Sequence, residues 1–135
     1  MKKILLSIFI CINLFSYSQW NNGNIAFNQP RANIAFVDSN SFLVAGGQSW
    51  STGGTNVSIV QLAHLYNISA NQSSILAMNT PRLEPIMVRG DSGIYIIGGV
   101  SNWGDVNGNG WLYENTMELY KDGNFTQMSI PFSTA

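Results

Sequence analysis

The sequence predicts an all-β fold of repeated antiparallel units, and three observations carry that prediction. First, Gln29-Pro30-Arg31 leads through an apolar run to Phe42-Leu43-Val44-Ala45-Gly46-Gly47, and Thr80-Pro81-Arg82 leads through another to Ile94-Tyr95-Ile96-Ile97-Gly98-Gly99. Pro81 follows Pro30 by 51 residues. Second, the apolar runs are short and end at turn-forming clusters such as Asp38-Ser39-Asn40. Third, charged residues make up 10% of the chain, against roughly 25% in soluble domains. Asn, Ser and Gly supply the polarity instead, as strands joined by uncharged turns require. A period of about 50 residues built of short strands is the pattern of β-propeller blades. A chain of 135 residues then holds about two four-stranded blades, an incomplete ring.

The chain opens with Met1-Lys2-Lys3 and an apolar stretch from Ile4 to Phe15. That stretch is too short to span a bilayer and suits a secretory signal. Ser16-Tyr17-Ser18 puts small residues at −3 and −1, so residues 1–18 are expected to leave by cleavage before Gln19. The expected location is secreted or periplasmic. The mature chain keeps Arg31, Arg82, Arg89 and Lys121 against seven acidic residues, with no basic patch to attract a phosphate backbone. Nucleic acid is therefore excluded as an expected partner. Cys11, the one cysteine, lies in the signal core, so the mature domain carries neither disulfide nor thiol chemistry and rests on sheet packing.

Residues 19–29 then hold a spare fourth strand, Asn24 to Phe27, from an adjoining unit. The first repeat covers 30–80. Its strands are Ala32 to Val37, the nearly all-apolar Ser41 to Ala45, Ile59 to Tyr66 and Ser74 to Met78, with a polar loop from Gln48 to Asn56 after the diglycine. The second repeat, 81–130, follows the same plan: Pro85 to Val88, Gly93 to Ile97, a loop from Val100 to Asn115, Thr116 to Tyr120, and Phe125 to Met128. On the third strands His64-Leu65-Tyr66 aligns with Glu118-Leu119-Tyr120. Pro131 follows Pro81 by 50 residues, and Phe27, Met78 and Met128 each stand three residues before one of these prolines. Residues 131–135 thus open a truncated third repeat. Two units would leave apolar faces and edges open, so completion by further blades or by self-assembly is required, with truncation the favoured reading.

These residues resemble the kelch-repeat β-propeller family. Pro30-Arg31, Gly46-Gly47 and Tyr66 match its pattern in one unit; Pro81-Arg82, Gly98-Gly99, Glu118 and Tyr120 match it in the other. His64 stands where the family has Glu, and Ile75 and Phe125 are expected to fill the place of its fourth-strand Trp. The resemblance implies a binding or interaction module, with a protein or glycan held by the long loops after the Gly-Gly strands. Kelch-type propellers also include carbohydrate-active enzymes such as galactose oxidases and sialic-acid mutarotases. The alternative is therefore a fragment of such an enzyme, a mutarotase for example, with its catalytic residues outside this chain. Oxidase chemistry would need a modifiable Cys, which the mature chain lacks.

Trp50, Trp103 and Trp111 fall on or beside the long loops, where exposed aromatic rings suit stacking on a sugar or anchoring a partner. Such residues also commonly cover the gaps between blades, and both readings stay open. Arg31 and Arg82 could meet an acidic ligand; as repeated residues they are more often bonded to loop carbonyls. Asp105, Asn107 and Asn109 echo the opening of a calcium loop with Gly110 at the sixth place, but Thr116 stands where the bidentate Glu belongs and Glu114 is out of place. Asn-Gly pairs are also ordinary turn chemistry. His64 has no second His or Cys to share a metal, and reads as structural. Asn56, Asn67, Asn71 and Asn124 begin Asn-x-Ser/Thr sequons. No catalytic constellation, cofactor motif or complete metal set is recognisable.

Overall fold

The computed structural model describes residues 29–50, 57–103 and 110–130. The expected signal at 1–18, the spare strand at 24–27, the candidate calcium residues Asp105, Asn107 and Asn109, and the opening of a third repeat at 131–135 lie outside them. Within these bounds the chain is all-β. Its strands are β1 (Asn33–Phe36), β2 (Ser41–Ala45), β3 (Gln48–Trp50), β4 (Val57–Ile59), β5 (Leu62–Asn67) and β6 (Gln72–Ala77) in the first half. The second half has β7 (Ile86–Gly90), β8 (Gly93–Ile97), β9 (Val100–Asn102), β10 (Leu112–Tyr113), β11 (Thr116–Lys121) and β12 (Asn124–Ser129).

Two four-stranded antiparallel sheets result, in the orders β1-β2-β5-β6 and β7-β8-β11-β12. The halves thus repeat one topology, and none of the sheets closes on itself. The two diglycine-bounded strands, Ser41–Ala45 and Gly93–Ile97, lie where the sequence places them. The long loops do not. The stretch from Gln48 to Asn56 begins as β3, which pairs with β4 through Gln48 opposite Ile59 and Trp50 opposite Val57. The stretch from Val100 to Asn115 contains β9 and β10, paired with each other. Each loop therefore rises from its sheet as a two-stranded ribbon, and the third strand of the first half starts at Leu62 rather than Ile59. The cause lies in the diglycines. Gly46 and Gly47 have φ of 73° and 97°, a region that L side chains avoid, and they turn the chain out of the sheet. A Cβ on Gly47 would stand 2.8 Å from the Pro30 carbonyl oxygen.

Register assigns every side chain to a face, because residues opposite each other across a ladder point the same way. On the first sheet, Leu43 faces Leu65 and Ala45 faces Ala63. On the second, Ile94 faces Tyr120 and Ile96 faces Glu118. These two faces meet. Leu43, Ala45, Ala63, Ile94, Ile96 and Tyr120 form the core with Met78, flanked by Ala35, Leu65, Leu76, Met87 and Phe125. Burying such side chains stabilises the pair of sheets by about 1.5–3 kcal/mol each for the larger ones. Register also corrects one expectation. Ile75 lies opposite His64 on the outer face of the first sheet, whereas Phe125 lies opposite Tyr120 on the inner face of the second. They are not equivalent; by register the matching large residues of the two fourth strands are Leu76, opposite Ala63, and Met128, opposite Met117.

The connection between the sheets is held by a buried polar network. Arg82 and Glu118 are both wholly buried, with Nε of Arg82 3.3 Å from Oε1 of Glu118. Arg82 Nη1 donates to the carbonyls of Gly98 at 2.8 Å and Thr116 at 3.0 Å, and Nη2 donates to the Thr116 hydroxyl at 2.9 Å. Glu118 accepts from the backbone N–H groups of Asn79 at 2.7 Å and Thr80 at 3.0 Å. Two opposite charges so placed satisfy each other and the turn around them, which burial demands.

Candidate functional site

Beyond the second diglycine the chain enters β9, anchored where Leu83 and Val100 exchange backbone hydrogen bonds of 2.8 and 3.0 Å. Trp103 follows β9, and Trp111 immediately precedes β10. Their rings meet edge to face with centroids 5.4 Å apart and planes at 89°, a favoured aromatic geometry. Trp111 continues to Tyr113 at 6.5 Å, with the planes inclined by 32°. Tyr113 is 74% exposed. The indole Nε1 atoms of Trp103 and Trp111 are buried and have no hydrogen-bond partner among the described residues, although Trp N–H normally finds one when buried.

Arg31 completes this rim. Its guanidinium lies 5.8 Å from the centre of the Trp103 ring, a cation–π distance. Its Nε is 2.7 Å from Oε1 of Glu84, and this bond from Arg31 holds the Glu84 carboxyl below its ordinary range. The two side chains are 40% and 58% exposed, so the pair adds little stability and remains open to solvent. Both residues have left-handed backbone, with φ of 63° at Arg31 and 51° at Glu84, and the Glu84 N–H donates to the Arg31 carbonyl at 3.1 Å. Non-glycine residues in that region cost of order 1–3 kcal/mol and gather at ligand-binding places.

The structure thus brings together three of the sequence-marked residues, Arg31, Trp103 and Trp111. Arg82 stands apart: fully buried, its guanidinium bonds carbonyls and Glu118 and has no route to an external ligand. Trp50 ends β3, which lies beside the same ribbon because β4 packs near β9; its side chain is outside the described residues. Glu84 and Tyr113 were not marked by the sequence. Tyr113 had a signal, since alternation along β10 places it two residues from Trp111. Glu84 had none, because the matching place in the first repeat, 51 residues earlier, is the uncharged Asn33.

His64 is buried, and burial lowers its imidazole pKa below 6.5, so it stays neutral near neutral pH. At the opposite ends of the strands, a cavity of about 250 Å³ is lined by the turns at 90–93 and 120–122 together with Val37. Arg89 and Lys121 there balance Asp91 and Asp122, and burial pushes the Tyr120 hydroxyl up. Among the described residues no cluster of His, Cys, Asp and Glu could hold a metal ion. No helix among them is long and apolar enough to cross a membrane. Compared with protein-family models and with curated proteins, the chain matches none.

Proposed function

We propose that this chain is an exported, kelch-like propeller module that binds a protein or glycan ligand through the rim formed by Trp103, Trp111, Tyr113, Arg31 and Glu84. The observation that carries the reading is the aromatic ribbon itself. Two indoles packed edge to face and an exposed phenol stand beyond the sheets, where they contribute little to the core. Flat faces of this kind stack on sugar rings or on side chains of a partner, and the exposed Tyr113 hydroxyl and Arg31–Glu84 pair offer donors and acceptors beside them. The repeated four-stranded topology supports the blade reading. So does the placement of β1 beside β7, where Asn33 Nδ2 donates to the Pro85 carbonyl at 2.9 Å. Export rests on the Lys2-Lys3 and Ile4 to Phe15 pattern.

The test is a glycan array and a protein pull-down with the chain, followed by titration of any captured ligand. Tyr113→Ala should weaken binding at least tenfold, the scale of an anchoring aromatic, with the thermal midpoint unchanged because Tyr113 is exposed. Unaltered affinity in both Tyr113→Ala and Trp111→Ala would remove the rim as the site.

A further inference from the structure

The two sheets pack front to back, and this leaves each with an apolar face that its counterpart has already shown how to cover. Strand register and the diglycines align Phe42, Leu43, Val44 and Ala45 with Ile94, Tyr95, Ile96 and Ile97, and His64, Leu65 and Tyr66 with Glu118, Leu119 and Tyr120. The inner face of the first sheet is the Leu43–Ala45 side, and the same side of the second sheet faces outward. It carries Tyr95, Ile97, Met117 and Leu119, with Ile86 61%, Val88 48% and Met128 37% exposed at its flanks. The inner face of the second sheet is the Ile94–Ile96 side, and the same side of the first sheet faces outward. Ile34 is 52%, Phe36 59% and Ile75 66% exposed there, around Phe42 and the buried Val44 and Tyr66.

We propose that a second copy of this chain docks its first-sheet outer face onto the second-sheet outer face of its neighbour, head to tail. The chain carries both halves of this contact, and its internal sheet-to-sheet interface is the template. The chemistry of the faces agrees. Among the described residues the second-sheet outer face holds one charge, Lys121 at its end, and the first-sheet outer face holds only the neutral, buried His64. An uncharged apolar sheet is matched by another such sheet and not by a polyanion or a charged peptide. Ile97 and Met117 stand where the internal interface has Ala45 and Ala63, so the copies sit farther apart than the internal sheets; the pliable Met117 and Met128 fill that space. Because β1 and β7 lie side by side, the step between sheets turns about the line where first strands meet. Repeating a heterologous step of that kind closes a ring where its rotation divides a full turn, and extends as a filament where it does not. The proposal stands whether or not the aromatic rim binds a ligand.

Light scattering on the purified chain, with two single-face variants, tests it. The chain should run as a discrete species of at least twice its own mass. Ile75→Lys blocks one face and Val88→Lys the other; each alone should be monomeric with an unchanged far-ultraviolet β spectrum. Mixed in equal amounts they should form a dimer, since each retains the face the other lacks. Ile34→Lys and Ile86→Lys provide a second pair with the same expectation. A chain that stays monomeric as its concentration rises overturns the proposal. So does a face-to-face dimer, in which only one of the two blocked faces matters, or a mixture in which neither pair recovers a dimer.

Discussion

Arg82 and Arg31 occupy the same place in the repeat and do different work, and one residue on the third strand separates them. In the second unit Glu118 supplies a buried carboxylate, so Arg82 can fold inward and bond the carbonyls of Gly98 and Thr116. In the first unit His64 stands there, neutral under burial, and cannot balance a buried guanidinium. Arg31 instead stays at the surface with Glu84 and Trp103. The structural use of Arg82 was legible in its repetition beside Gly-Gly carbonyls. The outward turn of Arg31 was not, because the ion pair with Glu84 joins positions 53 residues apart that no periodicity links. Glu118→Gln keeps the shape of the side chain and removes the charge. It should cost about 3–5 kcal/mol, since it leaves Arg82 as an unbalanced buried cation. Chemical denaturation of the chain and the variant measures this.

At the scale of elements, the central strands were the most legible. Ser41–Ala45 and Gly93–Ile97 are apolar runs closed by glycines, and burial on both faces requires that composition. The ribbons were hidden because their strands are short and polar: Gln48–Trp50 and Val100–Asn102 have three residues each and show no apolar alternation. Their pairing follows from how the diglycines aim the chain, which is a tertiary fact. The outer strands were displaced by a residue or two, Gln72–Ala77 in place of Ser74 to Met78, since Met78 leaves the ladder to enter the core. Gly47→Ala should destabilise the chain by more than Gly123→Ala. Both glycines have positive φ, at 97° and 83°, so both substitutions strain the backbone by about 1–3 kcal/mol. Only at Gly47 would the added Cβ also press on Pro30 and Ala32; at Gly123 nothing lies within 4 Å. Thermal unfolding of the two variants side by side gives the comparison.

For the molecule as a whole, the 51-residue echo between Pro30 and Pro81 announced two like units, and the structure adds their direction. The sheets stack front to back, so the repeat fixes which faces meet and which stay open. Sequence periodicity could show the number of units but not this stacking, because it is carried by cross-strand register. The rim was half legible: the tryptophans mark it, but their convergence with Arg31 depends on both diglycine turns. Two repeated sheets form a rigid frame, and the two-stranded ribbons stand out from it as less stable appendages. Native-state hydrogen exchange tests that claim most directly, since amide protection follows local stability. The slowest amides should lie on β2, β5, β8 and β11, with β3, β4, β9 and β10 exchanging well ahead of them. Ribbon amides as slow as those of the four central strands would contradict the account.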